Sequence, residues 1–356
     1  MVFKIGDRFI GENEKPYFIA DIAANHDGDL NRAFQLIELA KEAGADCAKF
    51  QNFKAEYIVS RKGFGVMGKQ LSHQVSWKKS VYDTYVDASV ADEWSHRLKE
   101  KCDEVQIEYM TSPYDYDSVD HANQFVNAFK VGSGDITWLD IIGYMAGKGK
   151  PMLLATGASD LGDVDRAVEE IRKSNSQIVL MQCNTNYTAS PENYKYINLN
   201  VLKTYKERYS GVILGLSDHT YGYATVLGAY ALGARVFEKH FTDNNDRIGP
   251  DHKFSMNPHS WREMVEETMK LYEAMGDGIK RVERNEQDTC IVQRRSLYYR
   301  GSFSAGHVVA KDDLIPLRPS LPGSLLPYEK DCALGKMLKR SVEADTVVRM
   351  EDFESC

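Results

Sequence analysis

The sequence predicts an α/β protein: a (β/α)8, or TIM, barrel over residues 1–280, a linker at 281–293 and a small β-rich domain over 294–356. Three observations carry this reading. An apolar run followed by an amphipathic stretch of helix length recurs through the first 275 residues, which is the pattern of a parallel sheet with crossover helices. The unit occurs eight times in about 250 residues, the size of one closed barrel. After Met275 the pattern gives way to a charged stretch and then to short strands and turns.

In chain order, Phe3–Ile10 is expected as a short strand or hairpin capping the barrel floor. The barrel strands are expected at Tyr17–Ala23, Ala45–Phe50, Gln106–Thr111, Ala128–Gly132, Pro151–Ala155, Ile178–Cys183, Val212–Leu216 and Ala234–Phe237. Helices are expected at Leu30–Ala43, Ala88–Glu104, Tyr116–Phe125, Leu139–Lys148, Asp160–Lys173, Tyr194–Tyr209, Tyr223–Leu232 and Ser260–Met275. A doubly wound open sheet is the alternative arrangement of the same units. Gly276–Arg295 lacks a long apolar run and reads as the connection out of the barrel. Beyond it, Ser296–Arg300, His307–Val309, Leu314–Pro319, Ala333–Leu338 and Thr346–Met350 read as short strands, with prolines at 316, 319, 322 and 327. A module of about 60 residues buries little surface alone and is expected to lean on a partner.

Bulk properties narrow the function. The chain is 43% hydrophobic and 27% charged, ordinary for a globular protein, and its net charge of -8 argues against a nucleic-acid-binding surface. The longest apolar stretch, Tyr223–Gly233, is too short to span a bilayer. The N-terminus carries charges where a signal peptide needs an apolar core. The six cysteines (47, 102, 183, 290, 332 and 356) form no C-x-x-C pair, so reduced thiols in a cytoplasmic protein are expected.

A (β/α)8 barrel places its active site at the C-terminal ends of its strands. Polar residues gather there: Asp21 with Asn25 and His26, Lys49 and Gln51, Thr111 and Ser112, Lys130 and Ser133, Thr156, Thr185 and Tyr187, Ser217 and His219, Glu238 and His240. Strand residues two apart share a face. Ser217 and His219 therefore share one, Glu238 and His240 another, and parallel neighbouring strands would bring the two imidazoles to one point. Two imidazoles with open positions suit a divalent metal acting on a substrate oxygen. Buried lysines at positions 49 and 130 call for an anion, and a phosphate with a carboxylate fits. Singly, a strand-end lysine is more often a structural ion pair and Asn25-His26-Asp27-Gly28 a helix-capping turn. The joint pattern over successive strands is what points to a site.

These residues carry a family resemblance. Ile19–Leu30 (IADIAANHDGDL), Ala48–Gln51 (AKFQ), Phe129–Asp135 (FKVGSGD), Leu216–Thr220 (LSDHT), Glu238–Phe241 (EKHF) and Gly249–His252 (GPDH) resemble the sialic acid, or nonulosonic acid, synthases. The tail from Gln293-Arg-Arg-Ser-Leu297 through Arg318-Pro319 resembles that family's SAF (antifreeze-like) domain. The resemblance covers essentially the whole chain.

It implies condensation of phosphoenolpyruvate with an N-acetylated hexosamine, such as N-acetylmannosamine or a 6-deoxy diamino relative, to a nine-carbon 3-deoxy-2-ulosonic acid and phosphate. It implies a domain-swapped homodimer and a divalent metal on His219 and His240, manganese first and magnesium or cobalt as alternatives. Lys49, Ser112, Lys130, Ser133, Thr185 and Ser217 would hold phosphoenolpyruvate. Gln51, Tyr187 and Asp251 would contact the sugar, with Arg318 reaching it from the partner's SAF domain. Asp21 and Glu238 would be the catalytic carboxylates, beside Lys49. The competing readings are another phosphoenolpyruvate-dependent 3-deoxy-ulosonate synthase or metal aldolase, and a non-catalytic carbohydrate-binding protein using the SAF domain. Three departures from the family pattern stand out: Asp21 where glutamate is common, Ala155 where a serine precedes Thr-Gly, and an Arg318-Pro-Ser-Leu-Pro-Gly323 loop. The shorter Asp21 implies either a contracted site or an intervening water.

Overall fold

The computed structural model describes residues 1–354, and the chain divides after Gly276 into two compact units. Cys356, counted among the thiols above, lies outside the described residues. The first unit opens with an antiparallel hairpin, β1 (Val2–Ile5) and β2 (Arg8–Gly11). Eight parallel strands follow: β3 (Tyr17–Asp21), β4 (Cys47–Asn52), β5 (Glu108–Pro113), β6 (Phe129–Val131), β7 (Met152–Ala155), β8 (Ile178–Cys183), β9 (Ile213–Asp218) and β10 (Val236–His240). They close into a barrel in sequence order, with β10 paired to β3. The barrel, rather than the open sheet, is therefore the architecture.

Alternation along each strand builds two cores. Outward residues such as Phe18, Ala20, Phe50, Leu154, Leu216 and Phe237 pack under the helices, against Leu36, Ile37, Leu98, Val168 and Trp261. Inward residues Tyr17, Ile19, Cys47, Met110, Leu153, Val179, Met181 and Val236 fill the lower barrel, and Phe3, Ile5 and Ile10 of the hairpin close it from below. Arg8 ties the hairpin to Asp46, whose other oxygen accepts from the Phe18 amide at 2.9 Å. The floor is thus sealed by side chains, and polar residues are admitted only above it. Among the described residues no helix is long and apolar enough to cross a membrane.

Local chemistry sets the helix ends. Asp29 caps Leu30–Glu42, accepting from the Asn31 amide, and Asn257 forms a capping box with Ser260 ahead of Pro258–Ala274. The sequence expectations differ from the structure in several places. Strands β4, β5, β9 and β10 run two or three residues further than expected, because the polar ends of these strands still join the ladder. The helix expected at Ala88–Glu104 starts only at Asp92, because Ser89 and Ala91 are extended, and a separate helix, Val81–Ala88, precedes it. Before them comes an excursion not foreseen: helical turns Ala55–Ile58 and Arg61–Val66 and a 3-10 turn Ser72–Ser76. The helix expected at Tyr194–Tyr209 is also interrupted. Asn198 takes a left-handed φ of 49°, separating a 3-10 turn at Pro191–Tyr196 from the helix Val201–Arg208.

The second unit has its own core of Leu297, Tyr299, Val309, Leu314, Leu325, Leu338, Val348 and Phe353. Its one two-stranded sheet pairs β11 (Ser296–Tyr299) with β12 (Leu314–Leu317). The other expected strands contribute only isolated bridges, among them Val308 to Met337 and Tyr298 to Val347. A short helix, Gln287–Gln293, lies in the stretch expected to be a plain linker.

The floor hairpin yields a stability prediction. Ile10 is almost wholly buried beneath the barrel. Ile10→Ala should lower unfolding stability by about 2–5 kcal/mol, read as a shifted midpoint in urea denaturation. A loss below about 0.5 kcal/mol would mean that the hairpin does not close the core.

Candidate active site

The upper barrel holds one layer of buried charge. Lys49 Nζ lies 2.5 Å from Asp21 Oδ2 and 3.9 Å from Glu238 Oε2, and Lys130 Nζ lies 3.4 Å from Glu238 Oε1. All four side chains are buried. Burial alone would strip the proton from Lys49, but Asp21 and Glu238 more than offset it, so the ammonium is held above its usual pKa. The negative charge that the sequence calls for beside these lysines is supplied, in this structure, by the Asp21 and Glu238 carboxylates. Asp21 also accepts from Gln51 Nε2 at 3.2 Å and from the Ala23 amide at 3.1 Å. Its contact with Lys49 is direct.

Strands β9 and β10 run parallel with Ser217 opposite Glu238 and Asp218 opposite Lys239. Ser217 Oγ donates to Glu238 Oε1 at 3.1 Å, while Glu238 Oε2 is buried without a hydrogen-bond partner. The imidazoles of His219 and His240 converge as the alternation requires, with ring centroids 5.4 Å apart. His219 Nδ1 bonds the Asn184 carbonyl at 2.9 Å, which as donor leaves its Nε2 with the lone pair. His240 Nδ1 is buried without a hydrogen bond, and its Nε2 lies 3.7 Å from Asp21 Oδ2. Burial, and then the facing His240, lowers His219 to a pKa of about 3. Burial, and then Lys49, does the same to His240, also to about 3. Two neutral imidazoles with free lone pairs are the form that binds a metal. Among the described residues no three His, Cys, Asp or Glu side chains form a closed metal cage. His219 and His240 are the donors here that could hold an ion, with its remaining positions open to water or substrate.

On the outer face of the same strands, Lys239 Nζ pairs with Asp218 and donates to the Thr220 carbonyl at 2.7 Å. Thr220 and Thr225 complete the shell around Asp218, whose ionised form this shell stabilises against the burial that opposes it. The pair locks β9 to β10 and aims the two histidines.

Ser112, Ser133, Ser217 and Tyr187 line the small inner cavity with the four charges and both histidines. Ser133 Oγ accepts from the Gly157 amide at 3.0 Å. A Cβ at Gly157 would sit 2.6 Å from Thr185 and 3.0 Å from Ser133 Oγ, so only glycine fits there. Thr185 thus abuts the inner layer without lining it. Asp251 sits on the wider mouth, a cavity of about 360 Å³ that shares Gln51, Tyr187 and His240 with the inner one. Arg318 belongs to the second unit, exposed, with its Nε donating to the Gln293 carbonyl at 2.6 Å.

Several lining residues were missed in the sequence. The Cys183 thiol lies within bonding reach of Ser133 and Ser217. Tyr114 reaches both cavities, and Asp135 faces the mouth. The last two follow directly on residues already singled out (Ser112-Pro113, and Gly132-Ser133-Gly134) and could have been found there.

A match to the NeuB family spans residues 36–280, and a match to the SAF domain spans residues 294–354. The chain belongs to the NeuB family. This NeuB-family chain is 33% identical to the N,N'-diacetyllegionaminic acid synthase of Campylobacter jejuni, over 94% of this chain and 99% of that one. It is 29% identical to the human N-acetylneuraminate-9-phosphate synthase, over 97% and 94% respectively. Among solved structures it is similar to the N-acetylneuraminic acid synthetase of Leptospira borgpetersenii in complex with citrate. That likeness has a TM-score of 0.70 and 26% identity, covering 81% of this chain and 95% of that one. The family, the barrel and the SAF domain expected from the sequence are thereby established.

Two stability predictions test this NeuB-family site. Lys239→Met leaves Asp218 buried without its cation and should cost about 3–5 kcal/mol in denaturant unfolding. Burial raises the Asp135 carboxyl from 3.8 to about 6. A carboxyl with a raised folded pKa loses stability as pH rises from its unfolded value to its folded one. Asp135→Asn should therefore stabilise the fold by on the order of 1–3 kcal/mol above pH 6, with the gain fading as pH falls toward 3.8. A gain independent of pH, measured by urea midpoints from pH 4 to 8, would contradict this origin.

Proposed function

We propose that this chain condenses phosphoenolpyruvate with an N-acetylated hexosamine to give a 3-deoxy-2-ulosonic acid and phosphate. The observation that carries the reading is the inner layer of two lysines and two carboxylates beside two neutral histidines, at the C-terminal end of a barrel of this family. The SAF domain matched at residues 294–354 supports the same assignment, with Arg318 on it completing the sugar site from a partner chain in a domain-swapped homodimer.

Lys49 and Lys130 bind the donor's carboxylate and phosphate, with Ser112, Ser133, Ser217 and the nearby Thr185 supplying hydroxyl donors. Gln51, Tyr187 and Asp251 orient the acceptor so that its aldehyde carbon meets C3 of the donor. As that bond forms, positive charge develops at C2 and water adds there. Glu238 Oε2, which has no hydrogen-bond partner, is placed to take the water's proton, while Ser217 and Lys130 hold its other oxygen. The proton taken from the water passes to the former aldehyde oxygen, now an alkoxide, and phosphate leaves by cleavage of its C2–O bond, taking the proton of the C2 hydroxyl as that carbon becomes the ketone. Asp21 keeps Lys49 charged and aimed at the donor.

The inner layer sums to zero charge: Lys49 and Lys130 against Asp21 and Glu238. A phosphate and carboxylate entering it bring negative charge that the lysines alone do not balance. His219 and His240 would hold the divalent ion that does, manganese first and magnesium or cobalt next. Such an ion supplies Lewis-acid polarisation of the aldehyde oxygen.

Inorganic phosphate should appear only when phosphoenolpyruvate and an N-acetylhexosamine are both present, with a product whose mass is that of the condensed acid. Phosphate release with other aldoses alone would overturn the reading. Lys130→Met should reduce kcat/KM about 100- to 1,000-fold, the range for removing one electrostatic stabiliser. His219→Ala, and chelation of divalent ions, should abolish turnover, with manganese restoring it to the chelated wild type and not to the variant.

A further inference from the structure

Two segments that frame the mouth are tied together by a buried network that the proposed chemistry does not use. One is the turn after β3, residues 22–29, and the other is the loop after β10, residues 241–257. Ala24 of the turn and Pro250 and Asp251 of the loop line the mouth. The Ala24 amide donates to Asp251 Oδ2 at 3.2 Å.

Asp27 is the centre of the network. Its Oδ1 lies 2.9 Å from His252 Nε2, and its Oδ2 accepts from Arg247 Nη2 at 2.7 Å and Nε at 2.9 Å. Arg32 Nε lies 3.1 Å from the same Oδ2. Burial opposes the Asp27 charge, but the hydrogen bonds from His252 and Arg247 and the charge of Arg32 outweigh it, so its pKa is lowered. An ionised carboxylate only accepts, so His252 Nε2 carries the hydrogen of this bond. Arg32 also grips both oxygens of Asp243, at 2.6 and 2.8 Å. Two guanidiniums thus meet two carboxylates.

His252 is fully buried, and its Nδ1 lies 2.8 Å from Thr242 Oγ1. A Cβ at Gly249 would sit 2.6 Å from His252 Cδ2, so only glycine lets the loop pass over the imidazole. Ser255 Oγ donates to the Asp251 carbonyl at 2.7 Å and accepts from Asn25 Nδ2 at 2.9 Å, a second tie between loop and turn.

The anchored imidazole opens the 3-10 turn His252–Phe254. Immediately before it stands Asp251. Two residues on stands Phe254, whose ring centroid lies 4.8 Å from that of His240, 5.9 Å from His219 and 5.3 Å from Tyr187. One buried side chain therefore sets a carboxyl on the mouth and a ring against both metal-binding imidazoles. The groups that hold the donor come from elsewhere: Lys49 from β4, Ser112 from β5, Lys130 from β6 and Ser217 from β9. A displacement of this loop falls on the acceptor's half of the site, and a misplacement of about 1 Å costs up to about 100-fold in rate.

Resting on the activity proposed above, we propose that Asp27 and His252 are positioning residues for the acceptor. Asp27, at the end of the first barrel strand's turn, fixes the His252 ring. His252 in turn fixes Asp251 over the mouth and Phe254 on the imidazoles. A staple that served the fold alone would alter stability and leave both substrates' KM values as they are.

The test uses the full-length, manganese-loaded protein with N-acetylmannosamine and phosphoenolpyruvate. Asp27→Ala should raise the KM for the sugar at least about tenfold and leave that for phosphoenolpyruvate within about twofold. Asp27→Asn keeps an oxygen for His252 and should hold the sugar KM within about threefold of the wild type. An unchanged sugar KM in Asp27→Ala, an equal rise in both KM values, or an Asp27→Asn variant as impaired as Asp27→Ala overturns the proposal. Where Asp27→Ala does not fold, by circular dichroism, His252→Gln and His252→Asn replace it. The longer amide reaches Asp27 and should preserve the sugar KM, the shorter should raise it, and identical values overturn the proposal. If the wild type gives no turnover, the proposed activity fails, and calorimetric binding of N-acetylmannosamine decides this inference. Affinity lost at least about tenfold in Asp27→Ala and kept in Asp27→Asn supports it. Equal binding by wild type and Asp27→Ala, or none by the wild type, overturns it.

Discussion

The site depends on the register between β9 and β10. Parallel pairing sets Ser217 opposite Glu238 and Asp218 opposite Lys239, so one row of side chains faces the barrel interior and the next faces the helices. A slip of one residue would exchange the rows, sending the Asp218–Lys239 pair inward and both histidines into the apolar shell. The buried ion pair on the outer face is what makes that slip costly. Its charges are met by each other, by Thr220 and by Thr225, a set of partners that exists in only one register. A buried ion pair is weak evidence for stability in general, yet here it acts as a registry key.

Much of this arrangement was legible in the chain. Eight apolar runs spaced by helix-length segments suffice for the barrel. The i, i+2 spacing of Ser217 with His219 and of Glu238 with His240 suffices to place both histidines on the inner face. The strand ends were less legible, because the apolar runs stop at Leu216 and Phe237 while the ladder continues to Asp218 and His240. The excursion after β4 was not legible. Its short turns have no helical period, and Trp77 and Tyr85 line the mouth only once folding carries them over it. The compensation of Lys49 by Asp21 was also hidden, since the two residues lie 28 positions apart and meet only across adjacent strands. The C-terminal domain shows the opposite error. Its runs of apolar residues suggested strands, but turns and prolines confine regular pairing to β11 and β12.

The barrel's upper layer is poor as a foundation and apt as a receptor. Four acidic and basic side chains and two imidazoles share a buried space where packed leucine or valine would be more stable. Asp135 and Asp251 add carboxyls whose burial holds their pKa values near 6. The lower core, with its hairpin and unbroken apolar filling, supplies the stability that this layer lacks. Separating the two functions by height lets the strand ends carry reactive groups without exposing the barrel to collapse.

The sealed floor has a kinetic corollary. Phe3, Ile5 and Ile10 close the lower end of the barrel, and the inner cavity shares Gln51, Tyr114, Ser133 and Tyr187 with the mouth above it. Whatever occupies the depth must pass the mouth first, and a molecule seated in the mouth blocks the way down. In such a well, sequence in space becomes sequence in time. On the proposed activity, the deep ligand would arrive before the shallow one, and a fragment released at the bottom would wait for the space overhead to clear.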